Sequence, residues 1–183
     1  MCDETDTNTG GDPFICARCA MQGPSCCRME NAASGRCFPL SEAEKSRLEP
    51  HAAALGVPAA AMEENTPDFL QILRVLFPDR PDRLSQVFPL GGTHWRLPLD
   101  DGGTCLFLRE DGCALPRDAR PWYCQLFPLW VSGNYFDRFQ PEFCLLTREV
   151  PRLQDVFTSL HMTREQAKML YDSLCHDWGM EKE

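Results

Sequence analysis

Residues 16–27 read CARCAMQGPSCC, and this stretch decides how the chain is organised. It contains a C-x-x-C motif at Cys16 and Cys19 and, after six intervening residues, the doublet Cys26-Cys27. A C-x-x-C loop turns two thiolates toward one metal ion, and zinc ribbons and iron–sulfur proteins both use it. A thioredoxin-like redox pair shares the motif but needs a flanking βαβ pattern, which the sequence lacks. The second doublet therefore favours metal binding.

Cysteine is the unusual feature of the composition, with eleven in 183 residues. Disulfides rarely persist in a reducing cytosol. The acidic start, MCDETD, lacks the basic and then apolar pattern of a secretory signal. The odd number of cysteines also argues against a disulfide framework. We therefore expect a cytoplasmic protein whose closely spaced cysteines bind a metal.

Charge narrows the classes of partner. The formal net charge is -9, and no cluster of Lys or Arg provides the basic surface that nucleic-acid binders use to contact phosphates. No apolar run approaches the ~20 residues that span a bilayer. We predict that the chain binds neither nucleic acid nor membrane. A protein partner is compatible with the charge, and the substrate, if there is one, is unknown.

A second group of cysteines follows later in the chain. Cys105 and Cys113 are separated by seven residues that end in Asp111-Gly112. A two-residue Asp-Gly hairpin would pair 110 with 113 and put the two cysteines on opposite faces, whereas a three-residue loop would pair 109 with 113 and put them on one face. Even on one face they would lie roughly 13 Å apart along an extended strand, too far to share one zinc ion. Either the hairpin is short and irregular, or the two cysteines serve different sites.

The segment RPWYCQLFP at residues 120–128 places Cys124 between two prolines. We predict a helix of one or two turns with Pro121 at its first position. The helix N-terminus and Arg120 would favour the thiolate form of Cys124. A buried structural cysteine among aromatic residues is the alternative, but the other cysteines favour a ligand.

The ordered motifs C-x2-C-x6-CC, CLFL…DGC and RP-x2-C-x2-FP resemble the YkgJ-type cysteine-cluster family, described as zinc- or iron-chelating domains. The resemblance covers roughly residues 14–146. Where the family often has a basic residue after the cysteine that matches Cys124, this chain has Gln125. The resemblance implies eight metal ligands: Cys16, Cys19, Cys26, Cys27, Cys105, Cys113, Cys124 and Cys144. Cys2, Cys37 and Cys175 lie outside the pattern and are expected to be ordinary thiols.

The identity of the metal stays open at this point. Thiolate ligation suits zinc and iron–sulfur clusters alike. Eight thiolates would serve two zinc sites, or one cluster with thiols to spare. Relatives of the domain occur with flagellin lysine N-methylases, for which the resemblance implies an iron–sulfur centre, so we place iron–sulfur ahead of zinc. The metal would be structural, would serve redox or protein-modification chemistry, or would shape a binding surface; whether the chain is an enzyme is undecided.

The rest of the sequence predicts an α-rich α+β fold around irregular cysteine loops, with a frayed tail at residues 1–13 and one domain at residues 14–183. Capping boxes open helices at Ser41 and Thr163, and Thr66-Pro67 opens another. We expect the first of these helices to falter at Pro50. We also expect a helical turn at 59–64, a loop at 78–92 and short strands at 94–115.

Overall fold

The structure is a computed structural model, and it describes residues 15–22, 25–28 and 38–181. The predicted tail at 1–13, together with Cys2 and Cys37, lies outside the described residues. Within the described ranges the chain combines helices with short antiparallel strands, so the predicted α+β class is confirmed. The helices are α1 (Ile15–Met21), α2 (Glu42–Leu55), α3 (Pro67–Leu76), α4 (Pro81–Val87), α5 (Trp122–Leu126), α6 (Leu145–Glu149), α7 (Leu153–Ser159) and α8 (Arg164–Asp177).

The strands are short and form small separate sheets. They are β1 (Pro39–Leu40), β2 (Ala61–Glu64), β3 (Thr93–Arg96), β4 (Leu108–Arg109), β5 (Gly112–Cys113), β6 (Leu129–Ser132) and β7 (Tyr135–Arg138). β3 lies between β1 and β2, while β4-β5 and β6-β7 are hairpins. Because these sheets are so small, the helices supply much of the core.

Three helix starts follow the local sequence signals. The Ser41 side chain accepts a hydrogen bond from the Glu44 amide, and the Glu44 carboxylate accepts one from the Ser41 amide. Thr163 forms the same capping box with Gln166. Thr66 caps α3, with Pro67 at its first position. All three predicted starts are confirmed, since each depends on partners within one turn.

Three other predictions are wrong. Helix α2 continues through Pro50 to Leu55 and ends at Gly56, whose φ of +68° is left-handed. Leu48 and Ala52 on either side of the proline are buried, so packing holds both halves in place. Residues 61–64 form β2 because they pair with β3. Residues 81–87 form α4, a helix with one buried side chain and hence no apolar stripe to predict it from.

The apolar side chains form two clusters. The larger one packs α3, α5, α8 and β6 together around Phe77, Trp130 and Trp178. The smaller one centres on Leu48, Phe107 and other residues of α2 and the loops before β4 and after β5. None of the described helices is long and apolar enough to cross a membrane.

A buried polar group adjoins this core at His94. Its ring stacks on Phe69 with centroids 3.9 Å apart, and its Nδ1 lies 2.8 Å from the Asn65 side-chain oxygen. Asn65 donates its amide to the Pro89 carbonyl, so its oxygen is the atom that faces His94, and His94 donates to it. Burial and then the Arg96 charge lower the pKa of His94 to about 4. The imidazole is therefore neutral at pH 7, and its 3.8 Å approach to Glu63 is not an ion pair.

We expect His94 to lower the free energy of unfolding at mildly acidic pH. The unfolded chain takes up a proton near pH 6.5 and the folded chain only near pH 4, so the unfolded state binds more protons between these values. The free energy of unfolding should therefore fall by about 3 kcal/mol as the pH drops from 6.5 to 4. Urea unfolding across this range should show the slope, and His94→Gln should remove it. Equal slopes in His94→Gln and wild type would contradict the assignment.

Candidate metal centre

Helix α1 presents the first two cysteines. Cys16 and Cys19 are three residues apart on a seven-residue helix, so both lie on one side of it. An ion pair of 2.8 Å between Arg18 and Glu149 joins α1 to α6. On the other side the hairpin backbone approaches α1 at Gly112, where φ is +121° and a Cβ would lie 3.3 Å from that of Ala17. Glycine at this position lets the β4-β5 hairpin pack beside the first cysteine pair.

The doublet lies in a tight turn beside Cys105. The Arg28 amide donates to the Ser25 carbonyl at 2.9 Å, which closes the turn around Cys26 and Cys27. The Cys105 amide then donates to the Cys27 carbonyl at 2.8 Å. This backbone bond links the two halves of the cysteine pattern directly.

The β4-β5 hairpin has neither of the two predicted registers. Leu108 pairs with Cys113 and Arg109 with Gly112, which leaves a loop of two residues at 110–111. The ladder is two residues long, and the Leu108 amide donates to the Cys105 carbonyl at 2.9 Å. Cys105 therefore lies in a turn that precedes β4, so the distance to Cys113 calculated for an extended strand does not apply. The short, irregular hairpin is the alternative that the structure contains.

Cys124 lies in α5, the short helix predicted between the two prolines. Pro121 is its N-cap, one residue before the position predicted for it. No side chain within the helix caps α5, and the Trp122 amide instead donates to the Glu44 carboxylate at 2.8 Å. Gln125 is buried and donates to the Arg120 carbonyl at 2.7 Å.

Cys144 is the N-cap residue of α6 and is buried. Its neighbour along the chain, Phe143, has its carbonyl oxygen 3.9 Å from the Cys19 sulfur. The contact between α1 and α6 thus brings Cys144 beside Cys19, although the two are far apart in sequence.

Six of the eight motif cysteines belong to or pack against the two hydrophobic clusters. Cys16, Cys19 and Cys144 contact or belong to the larger cluster, and Cys27, Cys105 and Cys113 to the smaller one. The electrostatic neighbours of the thiols connect them into one network. Cys124 is influenced by Cys27, Cys105 and Cys113, Cys26 by Cys27, Cys16 and Cys124, and Cys19 by Cys144 and Cys27.

The pKa values within this network diverge. A hydrogen bond with Cys26, and then Arg120 and Arg28, lower the pKa of Cys27, which favours its thiolate. The same hydrogen bond, followed by burial, raises the pKa of Cys26 well above its usual range. Desolvation by the surrounding protein atoms and then three neighbouring thiols raise the pKa of Cys124 likewise. Both Cys26 and Cys124 nevertheless have surface that is exposed to solvent. The expectation that Arg120 and the helix N-terminus favour a Cys124 thiolate is therefore wrong, because burial and like charges outweigh them.

The sulfur donors of these cysteines suit zinc or an iron–sulfur cluster, but their side chains do not form a closed coordination shell. All the network's donors are sulfur, which both groups accept, and a bound cation would offset the repulsion between adjacent thiolates. None of the nine cysteines in the described ranges is in a disulfide. Within the same ranges, however, no three His, Cys, Asp or Glu side chains adopt the geometry of a metal-ligand group. The thiols are neighbours, not a closed coordination shell.

Cys175 lies apart from the network. Its sulfur is 3.9 Å from an Arg80 guanidinium nitrogen, it also interacts with Tyr171, and burial raises its pKa. The adjacent His176 is exposed and pairs with Glu181 at 2.9 Å, so the two side chains point apart. Its surroundings are those of an ordinary buried thiol.

Sequence reasoning identified Glu44 as a helix cap and missed its second role. Glu44 is fully buried and contacts α5 and the end of α8 as well as its own N-cap. The available signal was its spacing from Leu48, because residues four apart share one face of a helix. A carboxylate on the same face as a core leucine needs buried hydrogen-bond donors.

Comparison of the chain with models of known protein families, with curated proteins and with solved structures gives no match. The resemblance to the YkgJ-type family therefore stays a prediction that rests on the cysteine motifs.

Proposed function

We propose that this chain is a cysteine-ligated metalloprotein, that its ligands are drawn from the eight motif cysteines, and that the bound group is an iron–sulfur cluster. The observation that carries the proposal is that contacts between distant segments bring motif cysteines together: the Cys105 amide donates to the Cys27 carbonyl at 2.8 Å, and the Cys19 sulfur lies 3.9 Å from the carbonyl oxygen of the residue before Cys144. The electrostatic neighbours of Cys19, Cys26 and Cys124 agree with this grouping. The three other cysteines are not part of that argument, since Cys175 lies elsewhere and Cys2 and Cys37 fall outside the described residues.

The size of the elements that hold the cysteines supports a role for metal in folding. α5 and α6 have five residues each, and β4 and β5 have two. Isolated helices below about 12 residues are marginal in water, and a two-stranded hairpin is marginal as well. Since these elements supply little stability of their own, ligation by thiolates would stabilise this part of the fold.

The surroundings of Cys124 support an iron–sulfur cluster over zinc. Tyr123 stacks on Phe38 and lies near Phe127, Trp130 and Phe139, so the residue before Cys124 packs among aromatic rings. Burial and solvent exclusion are among the properties that set cluster potentials. His94 is bonded to Asn65 and His176 to Glu181, so neither of these two histidines is placed to add a nitrogen ligand. A bound cluster would supply electron transfer, and redox or protein-modification chemistry is the activity that we propose for it.

A zinc-stabilised, non-catalytic interaction module is the second candidate. The short elements around the cysteines favour it, because a closed site of four thiolates per zinc stabilises such a fold without offering a vacant position to a substrate. Under either candidate we propose a reducing, cytoplasmic location, because reduced thiols are maintained there. We propose a protein partner and no nucleic acid, in keeping with the net charge of -9.

The identity of the metal is tested by anaerobic purification followed by metal and sulfide analysis. We expect brown protein with iron, acid-labile sulfide and absorption near about 400 nm that bleaches on reduction. Zinc has a filled d shell and would leave the protein colourless. Colourless protein with stoichiometric zinc and no sulfide would replace the cluster by the zinc module, and protein without any metal would contradict both.

A further inference from the structure

Glu44 is a fully buried carboxylate that lies beside the cysteine network. Its Oε1 accepts a hydrogen bond from the Trp122 amide at 2.8 Å. Its Oε2 accepts two, from the Ser41 amide at 2.9 Å and from the Trp178 indole at 3.0 Å. One side chain thus joins the start of α2, the start of α5 and the end of α8. A buried carboxylate with three donors has its acceptor sites largely satisfied, so this position is specific for a carboxylate.

Arg47 contacts the same segment from the next turn of α2. Its guanidinium lies 4.0 Å from the centroid of the Trp122 ring, and one of its nitrogens lies 3.4 Å from the Arg120 carbonyl. Residues three apart share one face of a helix, so α2 contacts residues 120–122 at two points. Cys124 follows two residues later in the same short helix.

Helix α5 depends on this external contact because its own side chains do not cap it. An uncapped first turn leaves its amides without acceptors, and Glu44 supplies the acceptor for the first of them. We propose that Glu44 is the positioning residue for Cys124: through the Trp122 amide, its carboxylate sets the orientation of the helix that carries this thiol. The proposal rests on the proposed function in so far as Cys124 is a ligand.

Glu44→Gln breaks this contact selectively. The amide oxygen of glutamine can accept the two hydrogen bonds from Ser41 and Trp178, which leaves the amide group facing the Trp122 amide, so two donors oppose each other. Trp178→Phe is the matched control, because it removes a different donor to Glu44 and keeps the ring in the core.

The test measures alkylation of single cysteines by iodoacetamide in the protein as purified, read by mass spectrometry. Cys124 is exposed and reports its own position, while the buried Cys175 reports global unfolding. The charge of Glu44 also raises the pKa of Cys124, so the charge-keeping variant Glu44→Asp, which withdraws the carboxylate by one methylene group, is measured beside Glu44→Gln. We expect both variants to speed alkylation of Cys124 about tenfold without changing that of Cys175. Both should weaken metal binding about tenfold in chelator competition, as loss of a group that orients a ligand does. Trp178→Phe should change neither rate.

The outcomes separate this proposal from the proposed function. Wild-type protein without metal would contradict the metal centre, yet the alkylation rates would still decide the role of Glu44. Equal Cys124 rates in Glu44→Gln and Trp178→Phe would overturn the positioning role. A faster Cys124 rate in Glu44→Gln with a wild-type rate in Glu44→Asp would assign the effect to the charge of Glu44 and would also overturn the positioning role. If Glu44→Gln is unfolded, Glu44→Asp alone decides. If both variants expose Cys175 as fast as Cys124, Glu44 stabilises the whole fold and the proposal is overturned.

Discussion

Removal of the metal under reducing conditions should abolish the cooperative thermal unfolding transition of this protein. Ligation of a structural metal by thiolates contributes about 10–16 kcal/mol in small zinc domains. The whole stability of a typical domain is about 5–15 kcal/mol. Because the elements around the cysteines are as short as two to five residues, their own stability would not offset the loss of the ligation free energy.

Calorimetry before and after chelation measures this effect, with metal content determined on the same sample. Restoring the metal, or rebuilding the cluster from iron and sulfide, should restore the transition. The larger hydrophobic cluster around Trp130 and Trp178 is the part expected to keep residual helix. An unchanged transition after verified removal would show that the metal is accessory to folding.

Replacement of Cys124 by serine should leave the protein nearly without metal and reduce its solubility. Cys27, Cys105 and Cys113 are electrostatic neighbours of Cys124, and Cys124 belongs to the ligand set that we propose. Serine keeps the size but provides a hydroxyl, which is a poor ligand for zinc or iron in a thiolate site. Serine at Cys16, Cys19, Cys105 or Cys113 should have the same direction of effect.

Cys175→Ser is the control, since Cys175 is a buried thiol that contacts Arg80 and Tyr171 instead of the motif cysteines. Its metal content should equal that of the wild type, as should that of Cys2→Ser and Cys37→Ser. Metal-to-protein ratios after anaerobic purification decide the matter. A full site in Cys124→Ser together with an empty one in Cys175→Ser would refute the ligand assignment.

Local interactions made part of this fold predictable. The helix starts at Ser41, Thr66 and Thr163 each depend on hydrogen bonds that span three residues. The short helix at Cys124 follows from prolines on either side of it. The cysteine motifs predict eight ligands, in one site or in two, and this assignment stays a prediction.

Contacts between distant residues decided the remainder. Strand β2 exists because β3 pairs with it, and α2 continues through Pro50 because residues on both sides of the proline are buried. The raised pKa of Cys124 results from burial, from thiols brought in by other segments and from the Glu44 charge.

Glu44 makes both local and long-range hydrogen bonds, and only the local ones could be predicted from the sequence. Its capping box spans three residues and was readable from the sequence, whereas its bonds to Trp122 and Trp178 span 78 and 134 residues. A sequence pattern records which groups are close along the chain, because those groups meet whatever the rest of the chain does. Which distant donors reach a buried carboxylate, and which thiols share one site, depends on how the helices pack, and only the tertiary structure contains that information.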